Sequence, residues 1–115
     1  MLQPSLFDRY GDVLDDSERG RLFAQWMGSN DDAVREMVGW AYDIQRRGMP
    51  VSVQYLFEKE RYEGSAVLHP VPFTTFGGER REYSINHNDR ALFGRWLKEH
   101  HPTLRVMTRK SRWDA

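Results

Sequence analysis

The stretch that decides the fold runs from Ser29 to Pro50 and is written SNDDAVREMVGWAYDIQRRGMP. Inside it, apolar residues recur at spacings of three and four, at Val34, Met37, Val38, Ala41 and Ile44. Polar residues that favour helix starts come before this pattern, and Arg46, Arg47 and Gly48 follow it. A basic last turn, a glycine and then a proline are typical of a helix end, so the stretch predicts a well-formed amphipathic helix.

Shorter helical patterns lie on both sides of this helix. A first helix is predicted between Asp15 and Gly28, because carboxylates favour the positive end of a helix. Ser52 is placed to cap a third helix that Gly64 ends, and Asn88 to cap a fourth that ends near Pro102. Three tryptophans fall on these helices and are predicted core residues, namely Trp26, Trp40 and Trp96.

The region between the third and fourth helices has β character. Pro70 and Pro72 exclude a helix there, and residues 73–85 predict a hairpin around a two-residue turn at Gly77 and Gly78. Weak alternation over residues 103–109 predicts a closing strand. The expected fold is therefore α+β and rich in helix, with about four helices and one β-hairpin, in an arrangement that could resemble a winged helix.

The chain's length and composition predict one folded unit. Its 115 residues are 39% hydrophobic and include no cysteine, which suits a reducing compartment. We expect an N-terminal arm over residues 1–14, a compact domain over residues 15–110 and a basic tail over residues 111–115. No segment has the length of a membrane span or the features of a secretory signal, so the expected location is the cytoplasm of a bacterial host cell.

The two ends of the chain carry opposite charge. Residues 1–45 hold nine acids and four bases, a net of −5, whereas residues 90–115 hold seven bases and two acids, a net of +5. This asymmetry indicates a region that faces a polyanion, or else opposite charges that meet within the fold.

The N-terminal segment Gln3-Pro4-Ser5-Leu6-Phe7 resembles the bacterial sliding-clamp-binding peptide, whose usual form is Gln-Leu-Ser/Asp-Leu-Phe. The resemblance implies that the Gln3 amide hydrogen-bonds at one subsite while Leu6 and Phe7 fill an apolar pocket of a clamp. Pro4 departs from the usual leucine and loses one apolar contact. The alternative is an arm whose Leu6 and Phe7 pack on the domain's own core.

The basic C-terminal end is the candidate nucleic-acid surface. Four of its residues fall along one helical stripe, at Arg90, Gly94, Lys98 and His101, with Arg95 beside it. The candidate contact residues are Arg90, Arg95, Lys98, His101, Arg105, Arg109, Lys110, Arg112 and Trp113, the last of which could stack on a base. The alternative is that these cations only favour the negative end of the helix and solvate the tail.

The second and third helices have the length of a helix-turn-helix, and the hairpin could then serve as a wing that presents Arg80 and Arg81. The third helix, however, carries Glu58, Glu60 and Glu63, whose charges would repel phosphates. Two helices joined by a short turn are also common without DNA binding, so groove reading by this helix is the weaker hypothesis.

Recognisable catalytic and metal-binding motifs are lacking. His69, His87, His100 and His101 have no pair at the four-residue spacing of metal ligands, and Asp15-Asp16 and Asp31-Asp32 are explained as helix starts. The sequence has no phosphate loop and no nucleophile elbow. We therefore expect no enzyme activity, no cofactor, no metal and no small-molecule substrate.

The C-terminal half is similar to small, uncharacterised phage and prophage proteins, through Glu60-Arg61-Tyr62-Glu63, Tyr83-Ser84-Ile85-Asn86-His87-Asn88, Phe93, Arg95, His101-Pro102 and Thr108-Arg109. The resemblance implies a mobile-element origin and a compact single-domain protein, and it favours roles in replication, regulation or host interference. The leading hypothesis is a protein that docks on a replication clamp or other host protein and contacts DNA weakly or without sequence specificity. The alternatives are a protein inhibitor of a host or defence factor, and a winged-helix DNA-binding regulator.

Overall fold

The computed structural model describes residues 15–85 and 89–107. These residues form four helices, α1 (Asp16–Ser29), α2 (Asp31–Arg46), α3 (Val53–Glu63) and α4 (Arg90–His100). They also form two small sheets. In one, β1 (Val51–Ser52) pairs in parallel with β4 (Val106–Met107), and in the other β2 (Val71–Thr74) pairs antiparallel with β3 (Arg80–Tyr83). The predicted α+β class with four helices and one hairpin is confirmed.

The ends of the first three helices follow from the capping residues that the sequence offers. The Asp15 carboxylate accepts the Glu18 amide at 2.7 Å, and the Ser52 hydroxyl accepts the Tyr55 amide at 3.2 Å. Each bond satisfies an amide that has no partner inside its helix. Gly48 has φ +82° just after α2, a conformation that side chains rarely adopt.

Helix α4 begins differently from the expectation. Its N-cap is Asp89, one residue beyond the predicted Asn88, which lies outside the described residues. The Asp89 side chain makes no capping bond, because its carboxylate pairs with the Arg19 guanidinium at 3.3 Å. Both side chains are buried, with relative exposures of 1% for Arg19 and 0% for Asp89. This ion pair joins α1 to the start of α4.

The hairpin connection is longer than the predicted two-residue turn. Thr75 accepts the Gly78 amide at 2.9 Å and donates its own amide to the Glu79 carbonyl at 2.8 Å. Gly78 has φ +84°, so the loop is a turn followed by a left-handed glycine that forms a bulge. The prediction of a two-residue turn was wrong because a pair of glycines does not by itself determine the loop length.

The four helices and the hairpin share one hydrophobic core. Phe57 of α3 lies near its centre, 6.1 Å from the Trp26 ring of α1 and 5.0 Å from the Phe93 ring of α4, measured between centroids. Tyr83 of β3 is buried in the same core and so packs the hairpin against the helices. Of the three predicted core tryptophans, Trp26 is buried at 2% exposure, whereas Trp40 and Trp96 are only partly buried.

Of the parallel pair β1–β4, only one strand was predicted. A closing strand was predicted over residues 103–109, and β4 confirms its position, but no strand was predicted at Val51. Val51 is fully buried and aligns with Val106. The end of α2 secures the same segment, since Gln45 donates to the Thr103 carbonyl at 2.7 Å and accepts the Arg105 amide at 2.6 Å.

A single buried amide positions the linker, which we define as residues 64–70. Asn30, between α1 and α2, is 3% exposed. Its Nδ2 donates to the carbonyls of Trp26 and His69, each at 2.9 Å, and its Oδ1 accepts the His69 amide at 2.6 Å. The linker therefore enters the hairpin from a fixed point beside the α1–α2 corner.

Candidate nucleic-acid interface

Part of the predicted binding set lies outside the described residues. This applies to the docking-peptide residues Gln3, Ser5, Leu6 and Phe7, and to Arg109, Lys110, Arg112 and Trp113 of the C-terminal end. The candidate residues that the structure describes are Arg90, Arg95, Lys98, His101 and Arg105. Four of them lie on α4 or at its C-cap, and Arg105 follows within five residues of that cap.

The stripe expected on α4 is divided between the core and the solvent. The Arg90 guanidinium lies over the Phe57 ring at 5.5 Å, and burial lowers the pKa of Arg90 from its usual range. Gly94 is buried, and a side chain there would contact Val53. Arg95 and Lys98, by contrast, are exposed. The basic surface of this helix therefore lies in its second half.

An aromatic ladder leads from the core to the end of the same helix. Trp96 stacks on Phe93 at 5.9 Å with an interplanar angle of 27°, and on His100 at 4.6 Å with 21°. His100 is exposed, and its Nδ1 lies 3.0 Å from the Trp96 carbonyl. A ring held in this way has lost most of its rotational freedom before any ligand arrives, so stacking on it costs little additional ordering.

His101 is fixed by the neighbouring helix. Its Nδ1 lies 3.0 Å from the Tyr42 hydroxyl of α2, and the two rings meet edge to face at 5.6 Å. It also contacts Trp96, with centroids 5.7 Å apart. His101 is half-buried, so its role in this geometry is to join the end of α4 to α2, and the more accessible imidazole of the pair is His100.

Arg105 lies at the start of the closing strand. Its side chain is exposed, and none of the ion pairs among the described residues includes it. Its backbone is held by Gln45 and by the β1–β4 pair, because Val51 donates its amide to the Arg105 carbonyl at 2.9 Å. The guanidinium is thus carried by a fixed backbone near the end of α4.

The possible helix-turn-helix surface is chemically less suited to phosphate. On α3, Lys59 pairs with Glu63 at 3.2 Å and also lies over the Trp40 ring at 4.9 Å. Glu58 is exposed on the same helix. At the hairpin, Arg81 pairs with Glu79 at 3.3 Å. Cations that are already neutralised by neighbouring carboxylates release fewer counterions from a polyanion, so these elements offer less binding energy.

Three buried charged groups were missed by sequence reasoning, namely Arg19, Glu60 and Asp89. Asp89 was passed over in favour of Asn88, and Glu60 was counted as an exposed acid, although it is only 3% exposed. Glu60 has the helical spacing of a core position relative to Phe57 and Leu56, which is the one signal that could have placed it inside. Burial and the neighbouring Glu36 raise the pKa of Glu60 to about 7.

Within residues 15–85 and 89–107, no three histidine or acidic side chains are grouped so that they could hold a metal ion. No helix of these residues is long and apolar enough to cross a membrane. Comparison of the chain with protein-family models, with curated proteins and with solved structures gave no match.

Proposed function

We propose that this chain is an accessory binding protein that contacts nucleic acid through the C-terminal end of α4 and the segment that follows it. The observation that carries the proposal is the exposed His100 ring, stacked on Trp96 and flanked along the chain by Lys98 and Arg105. A stacking ring together with cations is the combination by which proteins bind single strands without reading sequence.

The expected mode of binding is weak and tolerant of sequence. Lysine and arginine side chains neutralise phosphates and release counterions, so the affinity should fall as salt rises. Stacking adds about 1–3 kcal/mol for each base and does not depend strongly on which base is present. We propose Arg109, Lys110, Arg112 and Trp113, which lie outside the described residues, as further contacts of the same chemistry.

The test is fluorescence anisotropy with a labelled single-stranded oligonucleotide at two salt concentrations. Lys98→Glu and Arg105→Glu should each weaken binding and flatten the dependence on salt, since each removes a phosphate contact worth a slope of about 0.7 on a log–log plot. Arg21→Glu is the matched control, because Arg21 is an exposed arginine on α1. Binding that ignores salt, or equal effects at Arg21 and Arg105, would refute the proposal.

The stacking contribution needs its own variant. His100→Ala removes the outer ring of the ladder and should lower the affinity for a single strand by about tenfold, which corresponds to about 1.4 kcal/mol. Because stacking is not screened by ions, the salt slope should stay as in the wild type. A loss of slope in this variant would instead assign His100 to phosphate contact.

The second part of the proposal is that Gln3, Ser5, Leu6 and Phe7 dock the protein on a bacterial sliding clamp or a similar host factor. Linking this contact to a weak nucleic-acid contact would raise the overall affinity without any new chemistry. A peptide of residues 1–10 titrated against a bacterial clamp tests it. Binding at tens of micromolar, on the order of −6 kcal/mol, is expected, and it should disappear in the Leu6→Ala/Phe7→Ala peptide.

A different observation favours the alternative of a protein-binding inhibitor. Phe76 at the tip of the hairpin is fully exposed, and aromatic side chains are frequent anchors of protein interfaces. Under this alternative, Phe76→Ser would abolish capture of a host protein, while Lys98→Glu and Arg105→Glu would leave that capture unchanged. A nucleic-acid complex that tolerates Phe76→Ser would favour the first proposal.

A further inference from the structure

A pair of glutamates lies where α2 and α3 meet. Glu60 of α3 is 3% exposed, and no hydrogen-bond donor among the described residues reaches either of its carboxylate oxygens. Its neighbour across the interface is another acid, Glu36 of α2, which is half-buried. Two neighbouring carboxylates, one of them buried, are stabilised by sharing a proton, because like charges at close range repel each other.

The acceptor and the donor of that proton can be distinguished. Glu36 accepts the Ser65 amide at 2.9 Å and the Ser65 hydroxyl at 2.6 Å, and these bonds lower the pKa of Glu36. Burial, followed by the hydrogen bond and the charge of Glu36, raises the pKa of Glu60 to about 7. Glu60 is therefore the carboxylic acid and Glu36 the carboxylate that accepts its proton.

The backbone at the end of α3 and the start of the linker lies close to the two glutamates. The Glu60 carboxylate lies directly against Gly64, the C-cap of α3, and a Cβ at position 64 would overlap it. Ser65, which Glu36 holds, is the next residue of the linker. The glutamate pair thus contacts the last turn of α3 and the start of the linker together.

We infer that Glu36 and Glu60 form a proton-operated latch, which holds the end of α3 and the start of the linker against α2 when the shared proton is present. When that proton leaves, the buried Glu60 is charged beside the charged Glu36, and no hydrogen-bond donor among the described residues reaches Glu60. The Glu60 carboxylate then gains by moving into water, and this movement takes the last turn of α3 and residues 64–66 with it. The far end of the linker stays fixed, since Asn30 binds His69.

The charged groups around Glu60 leave Glu36 as its only charged partner among the described residues. On α3, Lys59 is engaged by Glu63 and by the Trp40 ring. Arg90 of α4 lies over the Phe57 ring, and the charges of Glu58 and Arg61 influence the pKa of Arg90. The linker contributes the uncharged Ser65 at this point. Lys59 and Arg90, the cations named here, are therefore each engaged with other groups among the described residues.

The direction of the pH dependence follows from linkage. The pKa of Glu60 is higher in the folded protein than the ordinary value of 4.5, so its contribution favours the closed latch below that value and is lost as the pH rises through about 7. For an opening that exposes Glu60, the population of the open state should rise by roughly 50-fold between pH 5 and pH 8.

Hydrogen exchange on the full chain tests the latch. After correction for intrinsic exchange, protection of the Ser65 amide should fall by roughly 50-fold from pH 5 to pH 8, whereas amides that exchange through local openings that leave Glu60 buried should keep their protection. In Glu60→Gln, whose amide donates to Glu36 at every pH, Ser65 protection should not change over this range. Glu58→Gln, an exposed change on the same helix, should behave as the wild type.

A direct readout keeps the inference testable without any variant. The carboxyl ¹³C shift of Glu60 in the wild-type protein should titrate near pH 7, and the Ser65 amide shift should follow the same curve. A midpoint near 4.5, or Ser65 protection that is equal at pH 5 and pH 8, would overturn the latch. Neither result bears on nucleic-acid binding, which is measured separately at Lys98 and Arg105.

Discussion

Replacing Asn30 by aspartate tests what its buried side-chain amide contributes to stability, because the rest of the side chain is unchanged. The two residues have nearly the same shape, so Asn30→Asp leaves no cavity. Asn30 donates two hydrogen bonds, to the carbonyls of Trp26 and His69, and aspartate at neutral pH can donate neither. The bond accepted from the His69 amide can remain. The variant therefore removes the donors and adds a charge at a site that is 3% exposed.

The expected cost can be worked out from these contacts. Each lost hydrogen bond has a net value of about 1 kcal/mol, and a carbonyl left without a donor in a buried site costs about 1–3 kcal/mol. The Trp26 carbonyl keeps the Asn30 backbone amide at 3.0 Å, so only the His69 carbonyl loses its donor outright. The sum is about 2–4 kcal/mol of lost unfolding free energy at pH 7. Part of it should return at about pH 3, where the new carboxyl can donate one bond.

Urea unfolding at both pH values measures this, with Gln25→Glu as the control. Gln25 is an exposed residue of α1, so the same change from amide to acid should alter stability by no more than about 0.5 kcal/mol there. Exchange of the His69 amide supplies a local probe of the linker. A cost below about 1 kcal/mol together with unchanged His69 protection would refute the view that Asn30 anchors the linker.

Three further substitutions test other parts of the fold by urea unfolding. Asp89→Asn leaves the buried Arg19 without its carboxylate and should cost about 3–5 kcal/mol, so a loss under about 1 kcal/mol would contradict the importance of that pair. Ser52→Ala removes the acceptor of the Tyr55 amide at the start of α3 and should cost about 1 kcal/mol, and an unchanged midpoint would argue against the cap. Glu60→Gln should raise the unfolding free energy at pH 8 by up to about 3 kcal/mol, with little gain at pH 4. An equal gain at the two pH values would show that ionisation of Glu60 is not its cause.

The helices could be predicted from the sequence because their information is local. Apolar spacing within α2 and the capping side chains at Asp15 and Ser52 act within four residues of where they stand, and each of them was found in place. Gly48 was predicted to end α2 for the same reason, since glycine adopts a positive φ without help from distant partners.

The features that sequence reasoning missed depend on partners far away in the chain. Asp89 was not identified as the α4 cap because its carboxylate serves Arg19, 70 positions earlier. Glu60 was taken as an obstacle to phosphate binding, since nothing local reveals that Glu36 would share its proton. In the candidate interface, the exposure of Lys98 and Arg105 was expected, whereas the half-burial of Arg90 over Phe57 required the packing of α3 on α4.

The pairing of β1 with β4 has a consequence for how the chain matures. Val51 finds its partner Val106 only after 55 further residues have been added, since 106 − 51 is 55. During synthesis, the segment between α2 and α3 therefore lacks its pairing strand. The Val51 amide has no Arg105 carbonyl to bond until residue 105 has been added. A nascent chain halted at residue 103 would carry all four helices but no acceptor at this point, and the last steps of folding are thereby tied to the final residues of the described chain.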